Sequence, residues 1–316
     1  MEPISLEPVD SVRITSLVDN MADTTAPSVG PARRTGWGVG TLDAKTIVGG
    51  RSVVPLVAEH GFSAYIETDN GNMLFDTGKG RTVLHNARIF NKDLNRINKV
   101  ILSHSHGDHT GGLPDVLLSQ SKKPLDVYAH PDIFLYRYRR KNGKKTYGGI
   151  PFTQGYLEKM GAQFVFNTDY EEIEAGIFLT GEVPRKTPFE GGDMADRFAV
   201  RDGKEIAETI PDDQSLIIHT EKGLLLVLGC AHAGIINVIN HVVNKSGQDD
   251  ILAVIGGTHI GFSGEVQLAE SIQALESYDI QHLVPSHCTG LAAITRIKQA
   301  FEDIFQFSQV GWSIAF

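Results

Sequence analysis

The sequence predicts an α/β domain with helices covering its sheets, and three observations support that prediction. The 316 residues allow two ordinary domains or one large layered one. Each half opens on a two-strand hairpin and runs on into alternating strands and helices, which leaves helices to cover two sheet faces. No repeat of solenoid period and no low-complexity tract breaks this order.

In chain order, residues 12–18 (VRITSLV) read as the first strand. A stretch rich in Gly, Pro and Thr at 23–50 reads as a long irregular loop. Runs at 62–68 and 73–75 alternate around Asp69-Asn70-Gly71-Asn72, a strong hairpin signal. Residues 99–102 (KVIL) form a short apolar run that stops at Ser103-His104, like a buried strand delivering a loop. A helix is expected from Asp108 or His109 to Leu118, then a strand at 126–129 and a helix at 132–141. Residues 142–212 mix Gly, Pro and charges around short strands such as 176–180. We therefore expect one domain over 1–316 with an insertion or cap at about 130–212. Strands at 215–220 and 224–228 then flank Glu221-Lys222-Gly223 as a second hairpin. A helix at 235–244, a strand at 251–255, a helix at 265–278, a strand at 282–284 and a helix at 291–305 complete the chain.

Composition narrows the class. At 41% hydrophobic and 21% charged, the chain is neither disordered nor a small disulfide scaffold. Lys+Arg number 29 against 38 Asp+Glu, and the net charge of −9 offers no global attraction to nucleic acid. Only Cys230 and Cys288 are present, too few for a disulfide framework. The first residues carry acids and no apolar signal region, and no run approaches the roughly 18 apolar residues that span a bilayer. These features predict a cytoplasmic globular protein acting on a small molecule, without nucleic acid or membrane partners and with a homo-oligomer left open.

Chemistry concentrates in Ser103-His104-Ser105-His106-Gly107-Asp108-His109. Imidazole and carboxylate together suit Zn, Fe or Mn. Alternate residues of a tight loop project to one side, so His104 and His106 can share one ion while Asp108 and His109 reach a second. The bland reading is a solvated polar loop. It is disfavoured because the loop follows a buried strand, where a rigid scaffold can hold ligands.

This motif resembles the metallo-β-lactamase superfamily, and the resemblance covers nearly the whole chain. Leu74-Phe75-Asp76-Thr77-Gly78 looks like the first motif, with Asp76 a buried carboxylate behind the ligands. His104, His106, Asp108 and His109 match the second motif residue by residue, and Val284-Pro285-Ser286-His287 looks like the last, where His287 would bind the second metal. The resemblance implies a four-layer αββα sandwich of two mixed sheets, and two divalent metal ions on one sheet edge. Zn is preferred, with Fe or Mn as alternatives.

The middle motifs depart from the common pattern. Thr180-Gly181-Glu182-Val183-Pro184-Arg185 lacks the His that glyoxalase-type members carry. Cys230 stands where a bridging Asp often sits, and His232 is the best available third ligand for the first metal. Together with Gly256-Gly257-Thr258-His259 and Ser286-His287-Cys288-Thr289-Gly290, these segments are similar to the dihydropterin ribofuranosyl-aminobenzene phosphate synthase-like branch.

Other residues are weighed both ways. His259 follows Gly256-Gly257 at a strand end and is expected in the site as a ligand, substrate contact or proton donor. His60, beside Gly61, is equally a site residue or a turn residue. Cys230 is a metal contact or a buried small hydrophobe, and Cys288 the latter. The basic run Arg137, Arg139, Arg140, Lys141, Lys144 and Lys145 reads first as a solvated helix end. The sharper reading makes it a cap surface for anionic substrates, with Arg139, Arg140, Glu182 and Arg185 as candidate substrate contacts. The expected chemistry is hydrolysis of a phosphoester, lactone or related bond, with Asp108 orienting the nucleophile and His259 protonating the leaving group. A pterin-pathway transferase and a non-catalytic metalloprotein are the alternatives; an open His/Asp set argues against the last.

Overall fold

The computed structural model describes residues 7–23, 28–34, 56–191 and 195–316. Two large sheets pack face to face. The first has eight strands, in the order Arg33–Arg34, Trp312–Ala315, Val12–Val18, Ser63–Thr68, Gly71–Phe75, Ile97–Ile101, Leu125–Ala129 and Ala162–Phe166. The second has six: Glu171–Glu174, Ile177–Leu179, Leu216–Thr220, Gly223–Leu228, Ile251–Gly257 and Ile280–Ser286. Both are mixed, with antiparallel hairpins giving way to parallel strands.

Side-chain alternation builds the layers. In Gly223–Leu228, Leu225 and Val227 join the core between the sheets, where Phe75, Ile101 and Ile255 also sit. Leu224, Leu226 and Leu228 face the other way, onto the helices Ile235–Ser246, Glu265–Leu275 and Leu291–Ala300. On the first sheet, Leu74 and Val100 turn outward onto Val83, Val116 and Leu157 of the helices Thr82–Ile89, Leu113–Ser119 and Gln154–Lys159. The result is the αββα sandwich, since the apolar strand side chains alternate between the core shared by the two sheets and the helices outside.

Several elements differ from expectation. The helix expected at 132–141 is a short 3₁₀ turn, Pro131–Phe134, followed by the strand Tyr136–Lys141. The alternation of Tyr136 and Tyr138 with Arg137 and Arg139 has period two, and Asn142-Gly143 is a hairpin turn with φ of 50° and 74°. That strand pairs with Lys144–Tyr147 and Arg197–Arg201 in a third, four-stranded sheet completed by Lys204–Ala207. So within 130–212 one part forms a separate sheet, whereas Ala162–Phe166, Glu171–Glu174 and Ile177–Leu179 extend the two main ones. The helix expected to Leu118 is broken into Gly107–Thr110 and Leu113–Ser119, because Gly111 and Gly112 lie against the Lys79 and Thr77 carbonyls, too close for a Cβ. Of the loop expected at 23–50, residues 24–27 and 35–50 lie outside the described residues, and Arg33–Arg34 is an edge strand.

Candidate metal centre

Parallel strands of both sheets end at the same rim of the sandwich. Asp76 follows Phe75, Ser103-His104 follow Ile101 by two residues, Cys230 and His232 follow Leu228, His259 follows Gly257, and His287 follows Ser286. Ligand sites collect at such carboxyl ends. Asp76, Ala231, His259 and His287 all adopt left-handed backbone there, with φ between 49° and 56°. Each such residue costs about 1–3 kcal/mol, so strain is concentrated where the side chains must be aimed. Gly229 is required by a close approach, since a Cβ would stand 2.2 Å from Ser103 Oγ.

Two triads result. In the first, His104 Nε2 lies 2.9 Å from His106 Nδ1 and 3.2 Å from His232 Nε2. In the second, His109 Nε2 lies 3.1 Å from His287 Nε2, which is 3.5 Å from Asp108 Oδ2. The surrounding bonds decide where the ring protons are. Ser103 Oγ donates to Asp76 Oδ2 at 2.7 Å and therefore accepts from His104 Nδ1 at 2.9 Å. Asp76 Oδ2 accepts the His109 Nδ1 proton at 2.6 Å, and Asn20 Oδ1 accepts that of His287 at 3.2 Å. The Nε2 atoms of His104 and His287 are thereby left as lone pairs, and His109 Nε2 points at that of His287.

Electrostatics agree. Burial, with the neighbouring imidazoles adding to it, pushes His104, His232 and His287 well below the usual histidine range; burial likewise takes His106 down to about 3. Ring protons bridge nitrogens in pairs, whereas each set converges three donor atoms on one point. A cation can bind all three, so the donor set fits metal ions. Burial also works against charge on His109, but Asp76 outweighs it and raises that ring to about 9. Burial would raise the Asp108 carboxyl, yet His60, His109 and His287 hold it well below the usual range.

Cys230 sits between the triads, its Sγ 3.2 Å from His109 Nε2 and grouped with His104 and His109 as donors. The His259 ring lies 4.1 Å from that of His232 and stacks on Phe262, and the His259 backbone N–H donates to Cys288 Sγ at 3.3 Å. Of the two readings of His60, the geometry favours the site: its Nε2 is 3.3 Å from Asp108 Oδ2, which raises its pKa. These groups line a cavity of about 510 Å³ together with Lys79, Tyr147 and Arg197.

Of the candidate substrate contacts, only Arg139 borders the site, in a groove that includes His106. Arg140 pairs with Glu205, Glu182 with His130 at 3.1 Å, and Arg185 donates to the Thr209 carbonyl at 2.9 Å, all away from the triads. The basic run is not a solvated helix end. Arg137 is buried, bound to Glu208, to Asp212 at 2.9 Å and to Ser105 Oγ at 2.6 Å.

Sequence reasoning missed the anchors. Asp213 accepts the His232 N–H at 2.6 Å, and Asp19 accepts that of His287 at 3.3 Å; burial pushes both carboxyls up to about 7. It also missed Arg197. Adjacent Asp212-Asp213 just ahead of the buried strand Leu216–Thr220 was the available signal.

Residues 56–287 match the metallo-β-lactamase superfamily model, and the chain belongs to that superfamily. It is 30% identical over 270 residues to 7,8-dihydropterin-6-methyl-4-(β-D-ribofuranosyl)-aminobenzene-5′-phosphate synthase of Methanocaldococcus jannaschii, covering 83% of this chain and 92% of that protein. An uncharacterised protein of the same organism is 33% identical over 268 residues, covering 84% of this chain and 97% of its own length. Among solved structures, Tm1679, described as a metal-dependent hydrolase of the β-lactamase superfamily, shares the fold with a TM-score of 0.73 at 24% identity, over 96% of this chain and 98% of that one. Among the described residues, no helix is long and apolar enough to cross a membrane.

Proposed function

We propose that this protein is a cytoplasmic metal-dependent hydrolase that cleaves a phosphoester, lactone or related bond of a small, anionic substrate. The observation that carries the reading is the pair of converging donor sets. His104, His106 and His232 would hold one ion, and Asp108, His109 and His287 the other, with Cys230 between them. Two divalent ions, Zn in our reading, supply a Lewis acid and lower the pKa of a bound water toward neutrality.

The chain's own residues do the rest. Asp76 and Ser103 fix the His104 and His109 rings, and Asn20 fixes His287. Asp108 Oδ2, kept ionised and accepting the His60 Nε2 proton at 3.3 Å, orients the attacking water. His259, buried at the cavity wall beside Phe262, protonates the leaving group. Elemental analysis combined with a screen of phosphodiester, phosphotriester, lactone and β-lactam substrates tests this. Metal-free protein purified without chelator, or metal-loaded protein inert on every class, would overturn it.

The 30% identity to the archaeal synthase over 83% of the chain favours a second reading, a transferase joining a pterin to a ribosyl-aminobenzene phosphate. Co-purified pterin, or turnover only when both substrates are present, would select it.

A further inference from the structure

The two cysteines leave strands that do not touch. Cys230 follows Gly223–Leu228 and Cys288 follows Ile280–Ser286, with Ile251–Gly257 between them in the sheet. Neighbouring strands stand about 4.7–4.9 Å apart, so these two run roughly 9–10 Å from each other. Yet the Cys230 and Cys288 sulfurs lie within 4.8 Å of one another and of a His287 ring nitrogen. The middle strand permits this by ending in Gly257. A Cβ there would stand 2.2 Å from the Gly229 carbonyl oxygen and 2.7 Å from Cys288 Sγ. Any side chain at 257 would take the space that this sulfur fills.

The setting is not that of an inert buried thiol. Both cysteines are at most 4% exposed, yet both border the metal cavity. Cys288 Sγ accepts the His259 backbone N–H at 3.3 Å, which fixes where the sulfur sits. Its own proton turns to the Cys230 carbonyl oxygen at a long 3.7 Å, a weak bond that is readily given up. Cys230 Sγ in turn lies 3.2 Å from His109 Nε2, so the sulfur pair is continuous with the second triad. Zn–S bonds of about 2.3 Å place two sulfurs on one tetrahedral ion about 3.8 Å apart. Sulfurs already closer than 4.8 Å need move by no more than about 1 Å to share an ion.

We propose that Cys288 is a metal ligand, which with Cys230 and His287 gives the second ion a donor set of two sulfurs and one nitrogen. Read from sequence, Cys288 is a small buried hydrophobe; the meeting across Gly257 is what changes its role. Thiolate selects thiophilic ions such as Zn, whereas Mn and Mg prefer oxygen donors. Each thiol that binds gives up its proton to solvent. The inference rests on the metal-binding half of the function proposed above and not on hydrolysis.

Cadmium is the probe, because thiolate bound to Cd absorbs in the ultraviolet by charge transfer, which nitrogen and oxygen ligands do not produce. The chain has two cysteines, so the band counts these two sulfurs alone. Full-length protein, stripped of metal and kept reduced with a phosphine, is titrated with Cd, and bound Cd is counted by elemental analysis. The expected result is a band worth two thiolates per chain in wild type, falling by about half or more in Cys288→Ala and in Cys230→Ala. Cys288→Ala should also lower Zn affinity by at least about tenfold and leave Mn affinity at the wild-type value, whereas a merely structural defect would lower both. If Cys288→Ala does not fold, the wild-type band decides, since one thiolate's worth would overturn the proposal. Bound Cd with a band unchanged in Cys288→Ala would also overturn it, and would leave both triads standing. Protein that binds none of Cd, Zn and Mn would overturn the metal centre as a whole. A full two-thiolate band in a protein inert on every substrate would support the ligand and overturn the hydrolase reading alone.

Discussion

Beneath His106 lie buried imidazoles, of which His104, His109 and His287 are held by a hydroxyl, a carboxylate and an amide; beside them lies a hairpin whose Arg139, Lys141 and Lys144 are exposed. His104, His109 and His232 are at most 2% exposed, and their partners Asp76 and Asp213 are as deeply buried. Arg139, Lys141 and Tyr147 on the hairpin are exposed. The first region fixes atoms to within tenths of an ångström, because any shift would leave buried polar groups unpaired. The second attracts charge over a longer range without fixing anything closely, because its side chains remain solvated. One residue joins them: Arg137 starts on the hairpin and ends on Ser105, between two of the metal-loop histidines.

This contrast orders the expected effects of mutation. His106→Ala should remove most bound metal and lower activity by more than about 100-fold, beyond the range for residues that only support a ligand, as elemental analysis and rate assays would read. Asp76→Asn should cost about 10–100-fold in metal affinity, measured by competition with a chromophoric chelator, because it frees the His109 ring. Arg137→Ala should lower stability by about 3–5 kcal/mol in urea unfolding, since it strands Asp212 and Glu208 as buried unpaired charges. A loss under 1 kcal/mol there would erase the distinction between floor and rim.

A pH experiment sharpens the same point. Glu190 accepts the Ile236 and Asn237 N–H groups just after the His232 loop, and burial raises its carboxyl from 4.5 to about 7. A raised acid holds its proton more tightly when folded, so its contribution to stability falls as pH rises from about 4.5 to 7. Linkage at about 1.4 kcal/mol per pH unit sets an upper limit of about 3 kcal/mol across that window. Subtracting the Glu190→Gln stability profile from that of wild type should expose this downward slope, and parallel profiles would refute it.

The parts legible in the sequence are those whose physics is local. The strand Ile97–Ile101 ahead of Ser103-His104 is written in consecutive residues and so is legible, and the candidate donors up to His109 lie in the same run. The apolar runs around Leu224–Leu228 and Ile251–Ile255 named the second sheet for the same reason. The strand Tyr136–Lys141 reads as part of a helix over 132–141 because its charges mask the period-two aromatic pattern and the Asn142-Gly143 turn that follows. Asp19 and Arg197 were not legible, and Asp213 only as half of the Asp212-Asp213 pair. Each acts through a contact made across the fold, such as the His287 N–H, 268 positions from Asp19. Single-sequence patterns carry no signal for such pairs.

Each donor triad also has a consequence for the order in which the molecule is made. His104 meets His232 across 128 residues, and His109 meets His287 across 178. Every triad takes its members from both sheets, so neither exists in a chain that has formed only one. During synthesis the four donors of the metal loop emerge first and stand alone, with their lone pairs on solvent rather than on one another. The first triad closes only after residue 232 has been added and the second only after 287, close to the end of the chain. Ion capture at either triad would therefore be a late, long-range event that reports completed docking of the sheets, and a chain stopped before residue 232 would carry the motif without the pocket.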